Sequence, residues 1–311
     1  MKLKSFLSLV RIPTVFSSMS NAYAGYFIAG GRTFSPQLGA GIAAAALFIM
    51  AGMALNDVAD KEVDAKERPN RPIPSGAIPL GTAWGLSLGM MALGLGLLWF
   101  ANPVSVSVGG ALCLAIFAYN FALKGGWAGP AAMGLCRALN LLTGMSLTWA
   151  ALPHPATLPL PAWLALASLW AYIALVTFLA RDEVGGNSRR RSLLFLSGVG
   201  LWFIAWLIAA LIGFRTERII RPMSPMNPMS PILLMTLPWL GLALFLRKPL
   251  RNLATDPSPK HTGQMVGGML RMVPLVDVLA MLANSVPPEF SLVGALWIVP
   301  AFAVGKWFYS T

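Results

Sequence analysis

Charge is what this 311-residue sequence has least of. Only 11% of its residues are charged, whereas ordinary soluble domains carry about 25%. Hydrophobic residues make up 57% of the chain, and apolar runs near the length of about 20 residues that crosses a bilayer recur along nearly all of it. Lipid offers the backbone no water to bond, so such runs must be helical. The composition excludes a soluble domain and predicts an all-α, polytopic transmembrane helical bundle.

Cysteine and histidine are nearly absent as well, with two of each. Cys113 and Cys136 lie inside apolar segments, where they are typical of small core residues rather than of a disulfide or a metal site. The two histidines lie in predicted loops without companion ligands. A cleaved signal peptide is not indicated, because the first apolar run continues past Ala22-Tyr23-Ala24 to Gly30.

Acidic residues are outnumbered by basic ones, 11 to 23, which gives a formal net charge of +12. The basic residues are scattered between hydrophobic segments, and no basic domain with interleaved aromatic residues exists to hold a nucleic acid strand. The excess therefore indicates the positive-inside bias of membrane proteins and contact with anionic lipid headgroups. We expect no nucleic acid partner, and the oligomeric state stays open.

The apolar runs mark ten candidate spans in a single domain over residues 1–311. Basic residues concentrate at the amino end and in the even-numbered loops, which predicts that both lie on the cytoplasmic side of the plasma (inner) membrane. Three arginines in the seventh loop depart from this pattern. The segment 264–283 carries Arg271, Pro274 and Asp277, so it is re-entrant or lies at a cavity. The spans fall near 12–30, 39–55, 79–101, 104–122, 128–150, 161–180, 193–213, 231–247, 264–283 and 290–308.

Nearly half of the acidic residues nevertheless fall within one short stretch, Leu55 to Gly76. If residues 55–67 continue a helix, Asp57, Asp60 and Asp64 stand at i, i+3 and i+7 and project from one stripe. Stacked carboxylates repel one another unless a cation joins them. Oxygen ligands at this density suit a hard divalent ion, and Mg²⁺ is usually held by few carboxylates together with substrate phosphates.

Arginines and prolines follow the acidic stripe directly. The prolines of Arg68-Pro-Asn-Arg71-Pro-Ile-Pro end the helix and stiffen the turn. Arg68 and Arg71 offer forked donors that suit phosphate. Beside an apolar bundle, these groups fit a Mg²⁺-bridged diphosphate whose hydrocarbon tail lies between the helices. The alternative is a solvated loop in which Lys61, Lys66 and the two arginines only neutralise the acids.

The motif Asn56-Asp57-x-x-Asp60-x-x-x-Asp64, followed by Arg68-Pro-x-Arg71-Pro-Ile-Pro-Ser-Gly, resembles the first signature of the UbiA superfamily of intramembrane prenyltransferases. The resemblance implies a bundle, usually of nine spans, that binds an isoprenyl diphosphate through Mg²⁺ and transfers the prenyl group to an aromatic or other lipophilic acceptor. It also implies that the three aspartates are catalytic metal ligands, with Asn56 as a polar neighbour in the metal site. Arg68 and Arg71 would contact the diphosphate.

The second signature of that superfamily is an Asp-rich stretch after the sixth span, commonly with carboxylates four apart. Here the stretch reads Ala180-Arg181-Asp182-Glu183-Val184-Gly185-Gly186-Asn187. Neighbouring residues on a helix point about 100° apart, so Asp182 and Glu183 cannot form a second stripe. One of them could still hold a second ion, and both are candidate ligands. Together with residues 129–146, this altered stretch resembles the divergent UbiA-like branch called EboC, whose members are tied to exporting or prenylating a metabolite precursor.

Further polar residues within or at the ends of spans are candidates. Arg137 and Asn140 stand on one face of the fifth span, and a charged residue within a span is a functional candidate by default. Arg137 would be a catalytic contact to the diphosphate or acceptor, or it snorkels to headgroups. Tyr119 and Lys124 close the fourth span; the resemblance implies an acceptor-cavity tyrosine and a diphosphate-binding lysine, usually one residue closer together. Asp277 either caps or pairs with another span, or it lines the cavity.

The sequence thus predicts a UbiA-like integral membrane prenyltransferase with Mg²⁺ as cofactor, an isoprenyl diphosphate and a lipophilic acceptor as substrates, and membrane lipids as surroundings. The alternative is a non-catalytic protein of the EboC type that binds or transports a prenylated or lipophilic metabolite precursor. A third possibility is a polyprenyl-lipid carrier or a scaffold in a larger biosynthetic complex. Prenyl chain length and acceptor identity depend on how the spans pack.

Overall fold

The computed structural model describes residues 3–126, 128–149, 158–181, 189–220 and 231–309. All secondary structure in these ranges is helical, which confirms the all-α prediction. The α-helices are Leu3–Leu9 (α1), Val15–Ile28 (α2), Pro36–Ala59 (α3), Lys61–Glu67 (α4), Leu80–Trp99 (α5), Pro103–Ala118 (α6), Gly129–Ser146 (α7), Leu160–Ala180 (α8), Arg189–Ile220 (α9), Pro231–Thr255 (α10), Pro259–Arg271 (α11), Val273–Ala283 (α12), Pro288–Ala295 (α13) and Ile298–Tyr309 (α14).

Four helices in the described ranges are long and apolar enough to cross a membrane: α3, α5, α8, and α6 with its continuation to Leu123. α11 and α12 pass the same test only together, as a pair bent by 41°, which is the geometry of a broken span or of a re-entrant loop. The bend lies within the predicted segment 264–283, and the end of α11 lines the main cavity, which confirms that this segment lies at a cavity. The total of nine to ten spans stays a prediction.

Two predicted spans are divided. The segment 12–30 consists of a 3₁₀ turn, Ile12–Thr14, and α2, and the segment 290–308 is split between α13 and α14. Proline has no N–H and a fixed φ, so it is tolerated in the first turn of a helix but interrupts a helix interior. Pro13 lies in the 3₁₀ turn, and Pro300 lies in the first turn of α14. The prolines therefore account for restarts that apolar composition alone does not show.

α2 lies inside the bundle and packs against α3, α7 and α12. Its contact with α7 is close, because a Cβ atom added to Gly25 or to Gly144 would overlap the backbone of the facing helix. Small residues permit this approach between helices in membranes. The close contact places the buried Ser17 and Asn21 of α2 against Arg137 of α7. The polar residues of the first span therefore face the protein interior.

The outward faces of the helices carry large apolar side chains. Leu93, Trp99, Leu114, Leu201 and Leu244 are each more than half exposed in the isolated chain. An apolar surface of this extent is unfavourable in water and is covered by lipid tails in a bilayer. The fold is thus that of an integral membrane protein, with polar groups turned inward.

Candidate active site

A joint in the backbone at Asp60 shapes the acidic segment. α3 ends at Ala59, α4 begins at Lys61, and Asp60 between them has φ −90° and ψ 6°. Helical hydrogen bonds nevertheless run through the joint. The Asp60 amide donates to the Asn56 carbonyl over 3.0 Å, and the Asp64 amide donates to the Asp60 carbonyl over 2.8 Å. The predicted helix over 55–67 is therefore present in two closely joined parts.

One arginine, Arg71, holds Asp57 and Asp64 together. Its Nη1 donates to Asp57 Oδ1 over 3.2 Å and to Asp64 Oδ2 over 2.7 Å. Arg11, which precedes α2, donates from Nη2 to the same Asp57 oxygen over 2.8 Å. Both aspartates are buried, and buried carboxylates are stable only when they are paired. The two arginines supply that pairing.

Asp60 faces a different cation, Lys124, at the end of the fourth span. The Lys124 ammonium contacts Asp60 Oδ2 and donates to Asn56 Oδ1 over 2.8 Å. The Asn56 amide in turn donates to Asp60 Oδ2 over 3.1 Å. These three residues form a closed polar triangle beside the pair held by Arg71.

A π-helical turn positions Lys124. Residues Tyr119–Leu123 continue α6 as a π-helix, and the Lys124 amide donates to the Tyr119 carbonyl over 2.9 Å. A π-turn closes hydrogen bonds between residues five apart, so it absorbs one residue more than an α-turn. The extra residue accommodates the spacing of Tyr119 and Lys124, which is one residue wider than the family resemblance implies. Tyr119 lines the cavity while Lys124 still contacts the acidic cluster.

The aspartate cluster is formally neutral, because three carboxylates meet the three cations Arg11, Arg71 and Lys124. Each aspartate also keeps one oxygen that receives no hydrogen bond from a described residue: Oδ2 of Asp57, Oδ1 of Asp60 and Oδ1 of Asp64. Within the described ranges, no three His, Cys, Asp or Glu side chains stand close enough to hold one metal ion. The predicted carboxylate stripe thus exists, with protein cations between its members.

The two arginines that follow the stripe are placed differently. A tight turn fixes Arg71, whose amide donates to the Arg68 carbonyl and whose carbonyl accepts from the Ser75 amide, both over 3.0 Å. Gly76 ends this turn with φ +73°, a conformation that favours glycine. The Arg68 side chain is exposed and forms no hydrogen bond with the part of the chain that the structure describes. Only Arg71 joins the cluster, and a diphosphate contact by Arg68 stays a prediction.

A cavity of about 790 Å³ opens beside the cluster, with Arg11, Asn56, Tyr119 and Arg137 in its wall. Asn56, Tyr119 and Arg137 also line a second, narrower pocket, which we call the inner pocket. Its other walls are mostly apolar. They include Phe48, Leu112, Ile116 and Met133. The larger cavity has a more polar lining than the inner pocket and shares part of its wall, an arrangement suited to a molecule with a charged head and a hydrocarbon body.

Arg137 and Asn140 both face α2, as their spacing predicts. Arg137 donates from Nη2 to Ser17 Oγ over 3.1 Å and from Nη1 to Asn21 Oδ1 over 3.4 Å. The Asn140 amide donates to the Ser18 carbonyl over 2.9 Å. Arg137 is only 6% exposed, so the alternative in which it snorkels to headgroups is wrong.

Three functional candidates did not follow from the sequence. Arg11 was used only as one of the basic residues that predict the cytoplasmic side, and its pairing with Asp57 was not predicted. Asn21 interrupts an apolar run, and a polar residue within a span is the signal that could have identified it. Asn120 stands in the wall of the inner pocket. Asp182 and Glu183, the candidate ligands of a second ion, lie outside the described residues.

The family model of the UbiA prenyltransferase family matches residues 18–262 of the chain. The chain belongs to this family. The match confirms the superfamily resemblance of the motif at 56–76, whereas the similarity to the EboC branch stays a prediction.

Similar curated proteins include several named digeranylgeranylglyceryl phosphate synthase. The one from Metallosphaera sedula is 42% identical over 91 residues, which are 29% of this chain and 32% of that protein. The one from Methanopyrus kandleri is 33% identical over 125 residues, which are 40% of this chain and 45% of that protein. The chain therefore spans less than half the length of these two relatives.

Solved structures show the same fold. A UbiA homologue from Aeropyrum pernix K1 superimposes with a TM-score of 0.64 at 16% identity, over 85% of this chain and 94% of that chain. A UbiA homologue from Archaeoglobus fulgidus bound to DMAPP and Mg²⁺ gives a TM-score of 0.59 at 16% identity, over 96% and 98% of the two chains. At this identity the likeness establishes the UbiA fold alone.

Proposed function

We propose that the chain is an intramembrane prenyltransferase that binds an isoprenyl diphosphate with Mg²⁺ and transfers the prenyl group to a lipophilic acceptor. The observation that carries the proposal is the position of Asp57, Asp60 and Asp64, beside a cavity with several polar residues in its wall that adjoins a mostly apolar pocket. The names of the relatives and the DMAPP and Mg²⁺ complex of the A. fulgidus homologue support the same substrate class.

The donor set fits a hard divalent ion. The three aspartates each have one carboxylate oxygen that takes no hydrogen bond within the described ranges, and Mg²⁺ prefers oxygen ligands. The three do not stand close enough to share one ion in the described structure, so one or two of them would hold it together with diphosphate oxygens, with Asn56 as their polar neighbour. When bound, Mg²⁺ supplies electrostatic stabilisation of charge on the diphosphate oxygens. Asp182 and Glu183 are the proposed ligands of a second ion.

Protein cations bind the diphosphate in this proposal. Arg11, Arg71 and Lys124 contact the aspartates in the structure, and an ion on the aspartates would free their N–H groups for phosphate oxygens. Arg68 would approach the diphosphate from the surface, and Arg137 from the cavity wall. Negative charge grows on the diphosphate as its bond to the prenyl carbon breaks. Cations already fixed at that position stabilise this change.

The inner pocket protects the reacting prenyl carbon. Its walls, among them Phe48, Leu112 and Ile116, exclude water that would otherwise capture the allylic cation. The acceptor forms its new bond to the prenyl carbon there and loses a proton. Tyr119 and Asn140 line this pocket and are the proposed acceptor contacts. We further propose that the aspartate cluster lies on the cytoplasmic side and that residues 1–311 act as one domain.

The test uses purified protein with Mg²⁺, radiolabelled isoprenyl diphosphates of several chain lengths and a panel of acceptors. We expect release of diphosphate that depends on the acceptor. Asp60→Ala should abolish turnover and diphosphate binding, whereas Glu62→Ala should change neither, because Glu62 is an exposed acid in α4 that contacts no described cation. Mg²⁺-dependent binding without turnover would favour the non-catalytic carrier. Unchanged binding in Asp60→Ala would contradict the proposed role of the cluster.

A further inference from the structure

A groove separate from both cavities runs along the outer side of α8. It encloses about 700 Å³ and lies between α7, α8 and α9. α8 divides it from the candidate active site, because Thr177 lines the large cavity whereas Ala171 and Ala174 line the groove. Leu164 and Leu201 in its wall are 48% and 67% exposed in the isolated chain, so the groove opens towards the lipid. We call it the outer groove.

The outer groove owes its depth to small residues. Ala167, Ala171 and Ala174 of α8 line it, and residues three, four and seven apart share one face of a helix, so these alanines form a stripe. The lining of α8 extends from Leu164 to Phe178, a length of about 21 Å at 1.5 Å per residue. One leaflet of the hydrocarbon core is roughly 15 Å deep. The groove is therefore long enough for a hydrocarbon chain that crosses one leaflet.

The polar side chains in the wall of the groove are already paired within the protein. The Trp202 indole donates to Ser168 Oγ over 3.0 Å, and the Trp170 indole donates to the Ala131 carbonyl over 3.0 Å. Among the described residues that line the groove, none is charged. These walls therefore suit an apolar occupant, and they offer no carboxylate ligands for a complex of Mg²⁺ and diphosphate.

Two arginines stand at one end of the outer groove. Arg181 comes three residues after Phe178 on α8, and Arg191 comes seven residues before a groove residue of α9, so each continues the stripe that lines the groove. The Arg191 guanidinium lies 5.5 Å from the centre of the Phe178 ring. Arg181 donates from Nη2 to the Gly125 carbonyl over 2.9 Å, directly after Lys124 in the chain. The arginine end therefore lies on the same side of the bundle as the aspartate cluster.

We propose that the outer groove is a binding site for an anionic phospholipid of the surrounding bilayer. One acyl chain lies along the alanine stripe, and the headgroup phosphate accepts hydrogen bonds from Arg181 and Arg191. Arginine suits this contact because its planar guanidinium binds phosphate through two N–H groups at once. The inference does not depend on prenyl transfer, because the groove shares no lining residue with the two cavities of the candidate active site.

The test compares two lipids that differ in headgroup charge and share their acyl chains. Palmitoyl-oleoyl phosphatidylglycerol and palmitoyl-oleoyl phosphatidylcholine are titrated separately against the purified full chain in a non-ionic detergent, and native mass spectrometry gives the first binding constant. We expect phosphatidylglycerol to bind on the order of tenfold more tightly, because each arginine at the membrane surface attracts an anionic headgroup. In Arg181→Met and in Arg191→Met the ratio of the two affinities should fall by about threefold.

Matched variants separate the groove from the rest of the surface. Arg190 is exposed and points about 100° away from Arg191 on the same helix, so Arg190→Met removes the same charge and should keep the ratio within about twofold. Ala171→Leu fills the groove and should weaken the binding of both lipids by about fivefold. Ala111→Leu, at an exposed alanine of α6 outside the groove, should change neither affinity.

Four results would overturn the proposal. The first is equal affinity of the two lipids in the wild type. The second is an equal loss of the ratio in Arg190→Met and Arg191→Met, since the preference would then reflect net charge alone. The third is unchanged lipid binding in Ala171→Leu. The fourth is displacement of phosphatidylglycerol by geranylgeranyl diphosphate in the presence of EDTA, because the groove would then be a metal-independent site for the prenyl donor.

Discussion

Two clusters of charge lie close together in this protein, and they are built in opposite ways. In the aspartate cluster, each carboxylate has one oxygen paired with a protein cation and one oxygen without a described partner. In the second cluster, both oxygens of the Asp277 carboxylate accept hydrogen bonds from buried groups. They accept from Ser20 Oγ over 2.6 Å and from Asn21 Nδ2 over 2.8 and 2.9 Å. The first arrangement leaves one oxygen of each aspartate for a new ligand, whereas both oxygens of Asp277 already have partners.

The second cluster also has a fixed direction. A carboxylate can only accept, so Nδ2 of Asn21 must face Asp277 and Oδ1 of Asn21 must face Arg137. Asp277 thus balances the charge of Arg137 through an amide, across helices that are far apart in sequence. The alternative in which Asp277 pairs with another span is confirmed. We therefore propose that the aspartate cluster binds the metal and the diphosphate, whereas the Asp277 cluster holds α2, α7 and α12 together.

Removing one cation from each cluster should separate these roles most strongly. Arg137→Met leaves Asp277 buried without a compensating charge, so we expect a loss of about 3–5 kcal/mol in the free energy of unfolding. Arg71→Met should cost less, about 1–3 kcal/mol, because Arg71 is partly exposed and Arg11 still pairs with Asp57, although the buried Asp64 loses its cation. Unfolding by SDS in mixed micelles measures both. A larger loss in Arg71→Met than in Arg137→Met would reverse the comparison.

Exchanging the carboxylate and the amide tests the direction of the second cluster. Asp277→Asn leaves a buried amide hydrogen without an acceptor, and Asn21→Asp sets two carboxylates against each other. Each single variant should cost about 1–3 kcal/mol. In the double variant every donor again has an acceptor. The carboxylate now at position 21 can accept from Arg137, from Asn140 and from the amide now at position 277. We expect it to recover most of the stability in the same unfolding assay. Additive losses would show that the amide does not connect Asp277 to Arg137.

The sequence was informative where function depends on spacing along one helix. Asp57, Asp60 and Asp64 share a segment, so helical periodicity was enough to group them. Periodicity along one helix does not predict which residues of different spans pair with each other. Asn21 and Asp277 meet only because α2 packs against α12, and no local pattern encodes which helices become neighbours. The same reason explains why Arg68 and Arg71 were equivalent candidates until the turn placed only Arg71 against the aspartates.

A smaller effect should follow when one cation of the aspartate cluster no longer competes with a metal. Lys124→Met removes the ammonium that occupies Asp60 Oδ2. Mg²⁺ added without diphosphate should then bind about two- to fivefold more tightly, since a partly exposed ion pair contributes about 0.2–1 kcal/mol. Isothermal titration with MgCl₂ measures the change, with Lys66→Met as an exposed control on α4. Weaker binding in Lys124→Met would mean that the lysine organises the site instead of competing for it.

Deleting Ala122 should have the smallest effect, and it tests whether the π-turn matters in itself. Ala122 is exposed in the π-turn, and its loss would let Tyr119–Lys124 close as a regular α-turn with one residue fewer. Residues four apart share a face of an α-helix, so the lysine should still reach Asp60 and the tyrosine should still line the cavity. We expect Mg²⁺ affinity and prenyl transfer within about twofold of the wild type. A large loss of prenyl transfer in this variant would show that the π-turn sets the position of the ammonium in a way that an α-turn cannot reproduce.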